Sequence, residues 1–329
     1  MLNKLVLSLA IAASGLTLTL PASANTPAAA TVDAAGTQQL KTSPLLQPAD
    51  LKALLGQPDL RVLDIRSDKD YASGHIPGAI NTPYGKYRGP KDNPGQLVSE
   101  SALTELLRTA GIDANSRIII VHSGTDHTDF GAAARVYWTL KVGGLSRLSI
   151  LDGGTKAWKA AAGALDTALS QPTPSSFSYH YDQDQIVTRE ELAAAVQSSA
   201  APLLVDARPA RFYSGETRVD AAARYGTLPS AQSFDNAQFF VKDSATLKPA
   251  AELKSLVAQS GAGNAPAVSF CNTGHWAATN WFVMSEIAGN TAVKLYPASI
   301  VDWSKAELPM QNQPSRVTAL VQDIKRAFQ

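Results

Sequence analysis

Four sequence blocks occur twice in this chain, in the same order each time, and this internal repeat restricts the fold more than any other feature. The paired blocks are "LRVLDIR" (60–66) with "PLLVDAR" (202–208), "GHIPGAIN" (74–81) with "GTLPSAQS" (226–233), "RIIIVHSGT" (117–125) with "PAVSFCNTG" (266–274), and "ILDGGTKAW" (150–158) with "LYPASIVDW" (295–303). Four matches in register indicate two copies of one fold of about 120 residues each.

Within each copy, short apolar runs alternate with helical patterns. "RVLDI" and "RIIIV" have the length of buried parallel strands, while "SALTELLRTAG" and "AAELKSLVAQSG" are amphipathic and are closed by Gly111 and Gly261. A further helix follows the third block in both copies. We therefore predict an α/β fold with two domains in tandem, each a mainly parallel sheet flanked by helices.

The composition of the segments between and before the repeats sets the predicted boundaries. A stretch rich in Pro, Ser and Gln separates the copies, which is typical of a linker. The predicted organisation is a signal peptide (1–24), a disordered N-terminus (25–43), a first domain without a nucleophile (44–165), a linker (166–185) and a catalytic second domain (186–329).

The first residues predict export. Lys4 precedes an apolar run from Leu5 to Leu20, and the small residues Ala22 and Ala24 match a signal-peptidase cleavage site after Ala24. No other stretch approaches the roughly 20 apolar residues of a membrane span. We expect a periplasmic protein with no membrane attachment after cleavage.

The charge balance excludes some partners. The chain has 29 basic and 28 acidic residues, for a net charge of +1. No overall field would hold nucleic acid or an anionic membrane, so an anionic ligand must be bound by a local site.

Cys271 is the only cysteine, so it forms no internal disulfide. It follows the apolar run "AVSF" and begins the loop "CNTGHW", which leads into a helix. This is the carboxyl end of a parallel strand, where α/β sheets build ligand sites. Loop N–H groups and the helix dipole would favour the reactive thiolate there, and Gly274 permits the backbone turn that such a loop requires.

The motifs "LDIR" and "GHIPGAIN", with the Cys271 loop in register, resemble the tandem-domain rhodanese sulfurtransferases over residues 44–310. In that family a strand-end cysteine forms a persulfide and opens a six-residue loop. The resemblance implies Cys271 as the nucleophile, with substrate contacts from the other loop residues Asn272, Thr273, Gly274, His275 and Trp276.

Substrate signatures of the family are not matched. Thiosulfate-using members carry basic residues where this chain has Asn272 and Thr273, and mercaptopyruvate-using members have Val and Thr where it has His275 and Trp276. The stretch "DARPARFYSG" resembles the family's anion-binding segment with one residue missing, so the anion contact would be Arg211 or Arg208. His275 would add partial positive charge below about pH 6.5.

The resemblance implies a two-step sulfur transfer without metal or organic cofactor. Cys271 would take sulfur from a small inorganic anion, thiosulfate, and pass it to cyanide, a thiol or a protein acceptor. Two alternatives stay open: a 3-mercaptopyruvate sulfurtransferase, and a periplasmic persulfide carrier without steady turnover. A related cysteine phosphatase is disfavoured, because Ala277 and Ala278 stand where its arginine would be needed.

The first copy has His122 in place of Cys271, which predicts a structural partner that forms one wall of the cleft. His122, Asp126, His127 and Asp129 cluster in its loop but are only a weak metal signal, because they are crowded in one short segment.

Overall fold

The computed structural model describes residues 31–32, 38–39, 43–198 and 201–327, in two compact units, Met1–Lys41 and Thr42–Gln329. In the first unit, strands β1 (Thr31–Val32) and β2 (Gln38–Gln39) form an antiparallel pair. The predicted signal peptide and most of the predicted disordered N-terminus lie outside the described residues.

The first half of the second unit contains five strands and five α-helices. The strands are β3 (Leu45–Leu46), β4 (Leu60–Asp64), β5 (Ile80–Asn81), β6 (Arg117–Val121) and β7 (Leu148–Leu151). The helices are α1 (Pro48–Leu54), α2 (Asp68–Ala72), α3 (Glu100–Thr109), α4 (His127–Val142) and α5 (Gly154–Ala160), with a 3₁₀ helix at Tyr84–Tyr87. The sheet is entirely parallel, in the order β3-β7-β6-β4-β5.

The second half repeats this arrangement. Its strands are β8 (Leu203–Asp206), β9 (Gln232–Ser233), β10 (Ala267–Phe270) and β11 (Val293–Leu295). Its helices are α6 (Arg189–Ala195), α7 (Ala210–Tyr213), α8 (Ala250–Gln259), α9 (Trp276–Phe282), α10 (Ser299–Lys305) and α11 (Arg316–Ala327), with 3₁₀ helices at Gln183–Gln185 and Asn236–Phe239. The parallel order is β11-β10-β8-β9, and Ile186 bridges to Leu295 where β3 pairs in the first half. The predicted tandem α/β fold is confirmed.

The central strands are buried on both faces because helices cover both sides of each sheet. All five residues of β6 and all four of β10 are buried, and accordingly all but Arg117 and Ser269 are apolar. Among the described residues, none of the helices is both long and apolar enough to cross a membrane.

The two halves are joined by α4 of the first and α9 of the second, which continues as a π-helix at Val283–Ile287. Phe282 packs edge-to-face against Phe130 and Tyr137. Its ring centroid is 5.8 Å from that of Phe130 and 5.0 Å from that of Tyr137, and all three rings are buried. One core cluster therefore includes residues of both halves. This shared packing fixes the first half against the loop that precedes α9.

Candidate active site

Cys271 lies directly after β10, at the carboxyl end of a central parallel strand. The residue is 1% exposed. Its backbone N–H donates a hydrogen bond to Ser299 Oγ at 3.1 Å, and its carbonyl accepts one from the Ile300 N–H at 3.1 Å. The start of α10 thus fixes the backbone of the cysteine while leaving its sulfur unbonded, as a free thiol.

The loop after the cysteine leaves its backbone N–H groups available. Within the part of the chain that the structure describes, the N–H groups of residues 272–275 donate no hydrogen bond to protein atoms. Gly274 has φ +68°, and a Cβ there would collide with the Arg135 guanidinium and the Pro297 carbonyl. Only glycine fits this turn, which lets successive N–H groups face an anion.

Side chains of the first half bind both the carbonyls and the side chains of the loop. Arg88 Nη2 donates to the Thr273 carbonyl at 2.9 Å, and Arg135 Nη1 donates to the Gly274 carbonyl at 3.1 Å. The Trp276 indole N–H is 3.2 Å from Thr128 Oγ1. Because these bonds occupy carbonyls, they leave the loop N–H groups available to a ligand.

His275 is fixed by the first half on both ring nitrogens. Its Nε2–H donates to the Thr128 carbonyl at 2.8 Å, so its Nδ1 accepts from the Tyr84 hydroxyl, also at 2.8 Å. Burial of the ring, together with the nearby Arg88 charge, lowers the pKa of His275 to about 4. The expectation of a partial positive charge on His275 below pH 6.5 is therefore wrong: the ring is neutral because desolvation and neighbouring cations oppose its protonation.

Arg208 forms a buried ion pair with Asp206. Its guanidinium lies 2.6 Å from Asp206, both side chains are 1% exposed or less, and Nη2 also donates to the Gly226 carbonyl. Nη1 donates to Asn272 Oδ1 at 3.2 Å, so Arg208 contacts the loop by orienting Asn272. Arg66 pairs with Asp64 at the same 2.6 Å in the first half, where His122 stands at the position of Cys271.

Arg211 lies on the exposed surface. Its guanidinium is 5.3 Å from the Phe212 ring centre and borders a cavity of about 250 Å³ lined also by Glu216, Tyr225 and Arg326. Among the described residues it makes no side-chain hydrogen bond or ion pair, and no loop residue lines that cavity. The structure brings the six loop residues and Arg208 together but leaves Arg211 apart from them.

The equivalent loop of the first half is closed by an internal carboxylate. Asp129 accepts hydrogen bonds from the N–H groups of Gly124 and Thr125, and His122, at the position of Cys271, has Nδ1 2.8 Å from Asp129 Oδ2. Burial by itself would raise the pKa of Asp129, but the hydrogen bonds from His122 and these N–H groups outweigh it and lower the pKa. Ala278 stands at the matching position of the second half, so that loop carries no such anion.

Sequence reasoning missed the residues of the first half that contact the loop, namely Tyr84, Arg88, Thr128 and Arg135. One signal was present, because Arg135 stands alone within the apolar helix sequence "FGAAARVYWTL". A single charge in a buried helix indicates a specific partner.

Comparison with known proteins gives a consistent picture. The profile of the Rhodanese-like domain matches residues 47–161 and 188–306. The chain is 30% identical over 262 residues to the thiosulfate sulfurtransferase of Pseudomonas aeruginosa, covering 79% of this chain and 93% of that protein. It is 28% identical over 274 residues to the putative thiosulfate sulfurtransferase of Synechococcus elongatus, covering 80% and 83%.

Two solved structures share the fold. An anaerobic ergothioneine biosynthesis enzyme from Chlorobium limicola has a TM-score of 0.72 at 20% identity, covering 86% of this chain and 73% of its own. The 3-mercaptopyruvate sulfotransferase SseA from Escherichia coli has a TM-score of 0.68 at 21% identity, covering 78% and 99%. At these identities the likeness concerns the fold alone.

Proposed function

Since the chain belongs to the rhodanese family, with two rhodanese-like domains in tandem, we propose that it is an exported thiosulfate sulfurtransferase acting through a persulfide on Cys271. The observation that carries this proposal is the strand-end cysteine followed by a loop whose N–H groups at 272–275 donate no hydrogen bond to any described part of the chain. The named sulfurtransferases among its relatives support the reaction class.

In the first step, the Cys271 thiolate attacks the outer sulfur of thiosulfate. A new S–S bond forms to Cys271, the S–S bond of thiosulfate breaks, and its electron pair leaves with sulfite. In the second step, cyanide or a thiolate attacks the terminal persulfide sulfur, forming thiocyanate or a new persulfide and returning the Cys271 thiolate. The loop N–H groups can stabilise the negative charge on the terminal sulfur during both steps.

The remaining choices of donor and location are part of the proposal. The structural neighbour SseA is a 3-mercaptopyruvate enzyme, so that donor is the second candidate. Periplasmic location rests on the cleavage pattern at Ala22 and Ala24. N-terminal sequencing of envelope protein should give Asn25 as the first residue, and intact Met1 in a cytoplasmic fraction would contradict export.

The decisive assay combines mass and turnover. After incubation with thiosulfate, intact-mass measurement should show one added sulfur atom, absent in the Cys271→Ser variant, and added cyanide should remove it as thiocyanate. Catalytic turnover distinguishes an enzyme from a persulfide carrier, which would give one equivalent only. A wild-type protein that takes sulfur from neither thiosulfate nor 3-mercaptopyruvate would contradict the proposal.

A further inference from the structure

Two arginines of the first half approach the catalytic loop without an acidic partner. Arg88 and Arg135 each donate one hydrogen bond to a loop carbonyl, and neither forms an ion pair within the described part of the chain. By contrast, Arg66 and Arg208, which are buried beside the loops of the two halves, each lie 2.6 Å from an aspartate. The pair beside the catalytic loop is therefore electrostatically different.

Buried guanidinium groups remain charged, and leaving them without a counter-ion is costly. Arg135 is 1% exposed, and its other contacts are the Gly95 carbonyl at 3.2 Å and the Trp138 ring at 5.0 Å. Burial, followed by the nearby Arg88 charge, lowers the pKa of Arg135 to about 10, so it is still protonated at neutral pH. His275 is neutral, whereas Arg88 and Arg135 are two cations of the first half that contact the loop, and neither has a carboxylate partner among the described residues.

The two arginines differ in what they can still bind. Both terminal nitrogens of Arg135 are engaged by the Gly274 and Gly95 carbonyls. Arg88 Nη1 is buried and has no hydrogen-bond partner among the residues that the structure describes, although Nη2 of the same group contacts the Thr273 carbonyl. Thr273, whose carbonyl this guanidinium contacts, is partly exposed, so Arg88 lies where the loop approaches the surface. A buried, unfilled guanidinium donor at the loop is a ready anion contact.

We propose that Arg88 binds the sulfonate oxygens of the sulfur donor through Nη1, that Arg135 is a positioning residue for Gly274, and that the site consequently favours a dianionic donor. This inference rests on the proposed sulfurtransferase function. The first half of the chain then supplies the positive charge that the loop lacks at Asn272 and Thr273.

The test compares two donors that share the reacting sulfur but differ in charge: thiosulfate, a dianion, and methanethiosulfonate, a monoanion. Arg88→Met should lower kcat/KM for thiosulfate by about 10-fold to 100-fold, the size of one charge-assisted hydrogen bond, and lower it much less for methanethiosulfonate. Lys86→Met is the matched control, because Lys86 is an exposed cation of the 3₁₀ helix that ends one residue before Arg88, and the kcat/KM for both donors should be unaffected. Equal losses for both donors, or no loss, would overturn the proposal.

A binding measurement separates this inference from the proposed reaction. Thiosulfate binding to the Cys271→Ser variant is measured by calorimetry, with and without Arg88→Met, and requires no sulfur transfer. A Kd raised about tenfold or more by Arg88→Met supports the anion contact even if turnover is absent, and an unchanged Kd overturns it even if turnover is present. Arg88→Lys, which keeps the charge but not the planar donor pair, should give an intermediate Kd.

Discussion

Gly131→Ala is a sharp test of how the first half fixes the catalytic loop. Gly131 lies in α4 beside the His275 ring, and a Cβ at this position would be 2.9 Å from His275 Nε2 and 3.2 Å from Cδ2. The ring cannot turn away freely, because Thr128 and Tyr84 bind both of its nitrogens. The added methyl group must therefore displace the ring or separate the two halves.

Two opposing effects determine how much Gly131→Ala changes the free energy of unfolding. Replacing glycine with alanine inside a helix stabilises it by about 1 kcal/mol. Overpacking a buried contact costs about 1–3 kcal/mol, and breaking the His275 hydrogen bond to Thr128 costs about 1 kcal/mol more. We expect the steric effect to dominate, with a net loss of about 1–3 kcal/mol in the free energy of unfolding and at least tenfold slower persulfide formation on Cys271.

The assay is urea unfolding together with the rate of sulfur uptake from thiosulfate. Gly85→Ala is the matched control, since a Cβ at Gly85 meets nothing within 4 Å and its φ is not positive. This variant should be unchanged or slightly more stable. Adding His275→Ala to Gly131→Ala removes the obstructing ring, so Gly131→Ala should become stabilising by about 1 kcal/mol in that background. A Gly131→Ala protein as stable and as active as wild type would refute the described packing of His275.

Three further predictions concern charged groups. The folded pKa of His275 is about 4, below its unfolded value near 6.5, so the unfolded protein takes up a proton first as the pH falls, and stability present above pH 6.5 is lost towards pH 4. In urea unfolding, His275→Gln should reduce the stability that is lost between pH 6.5 and pH 4 by about 1–3 kcal/mol. Arg208→Met should cost about 3–5 kcal/mol in thermal or urea unfolding because Asp206 is left buried and unpaired, and a loss under 1 kcal/mol would contradict the ion pair. Arg211→Ala should leave kcat/KM for thiosulfate within about twofold, since its side chain has no bond to the loop, and a tenfold loss would restore it as the anion contact.

The fold and the cysteine could be predicted from sequence because their signals are local. A buried strand, a small-residue loop and a helix are adjacent in the chain around Cys271. The repeat gives the same position independently, because its counterpart His122 also directly follows a buried strand. Such patterns depend on spacing within about ten residues, where strand and helix periodicity are informative.

The contacts from the first half could not be predicted in the same way. Arg88 and Thr273 are 185 positions apart, and Tyr84 and His275 are 191 apart. Their meeting depends on how α4 and α9 pack, which is decided by shape and burial across the whole interface rather than by any local motif.

The repeat nevertheless contained information about which arginine serves the fold. Asp206 and Arg208 have exact counterparts in Asp64 and Arg66, in a half that has no cysteine. A pair present in both halves is explained by the fold, since each arginine ties a strand end to the carbonyl of Gly74 or Gly226. Residues that differ between the halves are better candidates for chemistry.

Asp129 and Ala278 show the same logic at the loop itself. Both loops offer N–H groups at a strand end, but the first fills them with the carboxylate of Asp129, whereas Ala278 leaves the second without one. In the first half the loop N–H groups therefore bind a carboxylate of the same chain. The polar contacts that this half makes with the second loop come instead from Arg88 and Arg135. The first loop is thus filled by its own carboxylate, whereas the second faces Arg88 and Arg135, neither of which forms an ion pair within the described residues. In the proposed reaction the first half would supply positive charge to the site, and the second would carry the reacting sulfur.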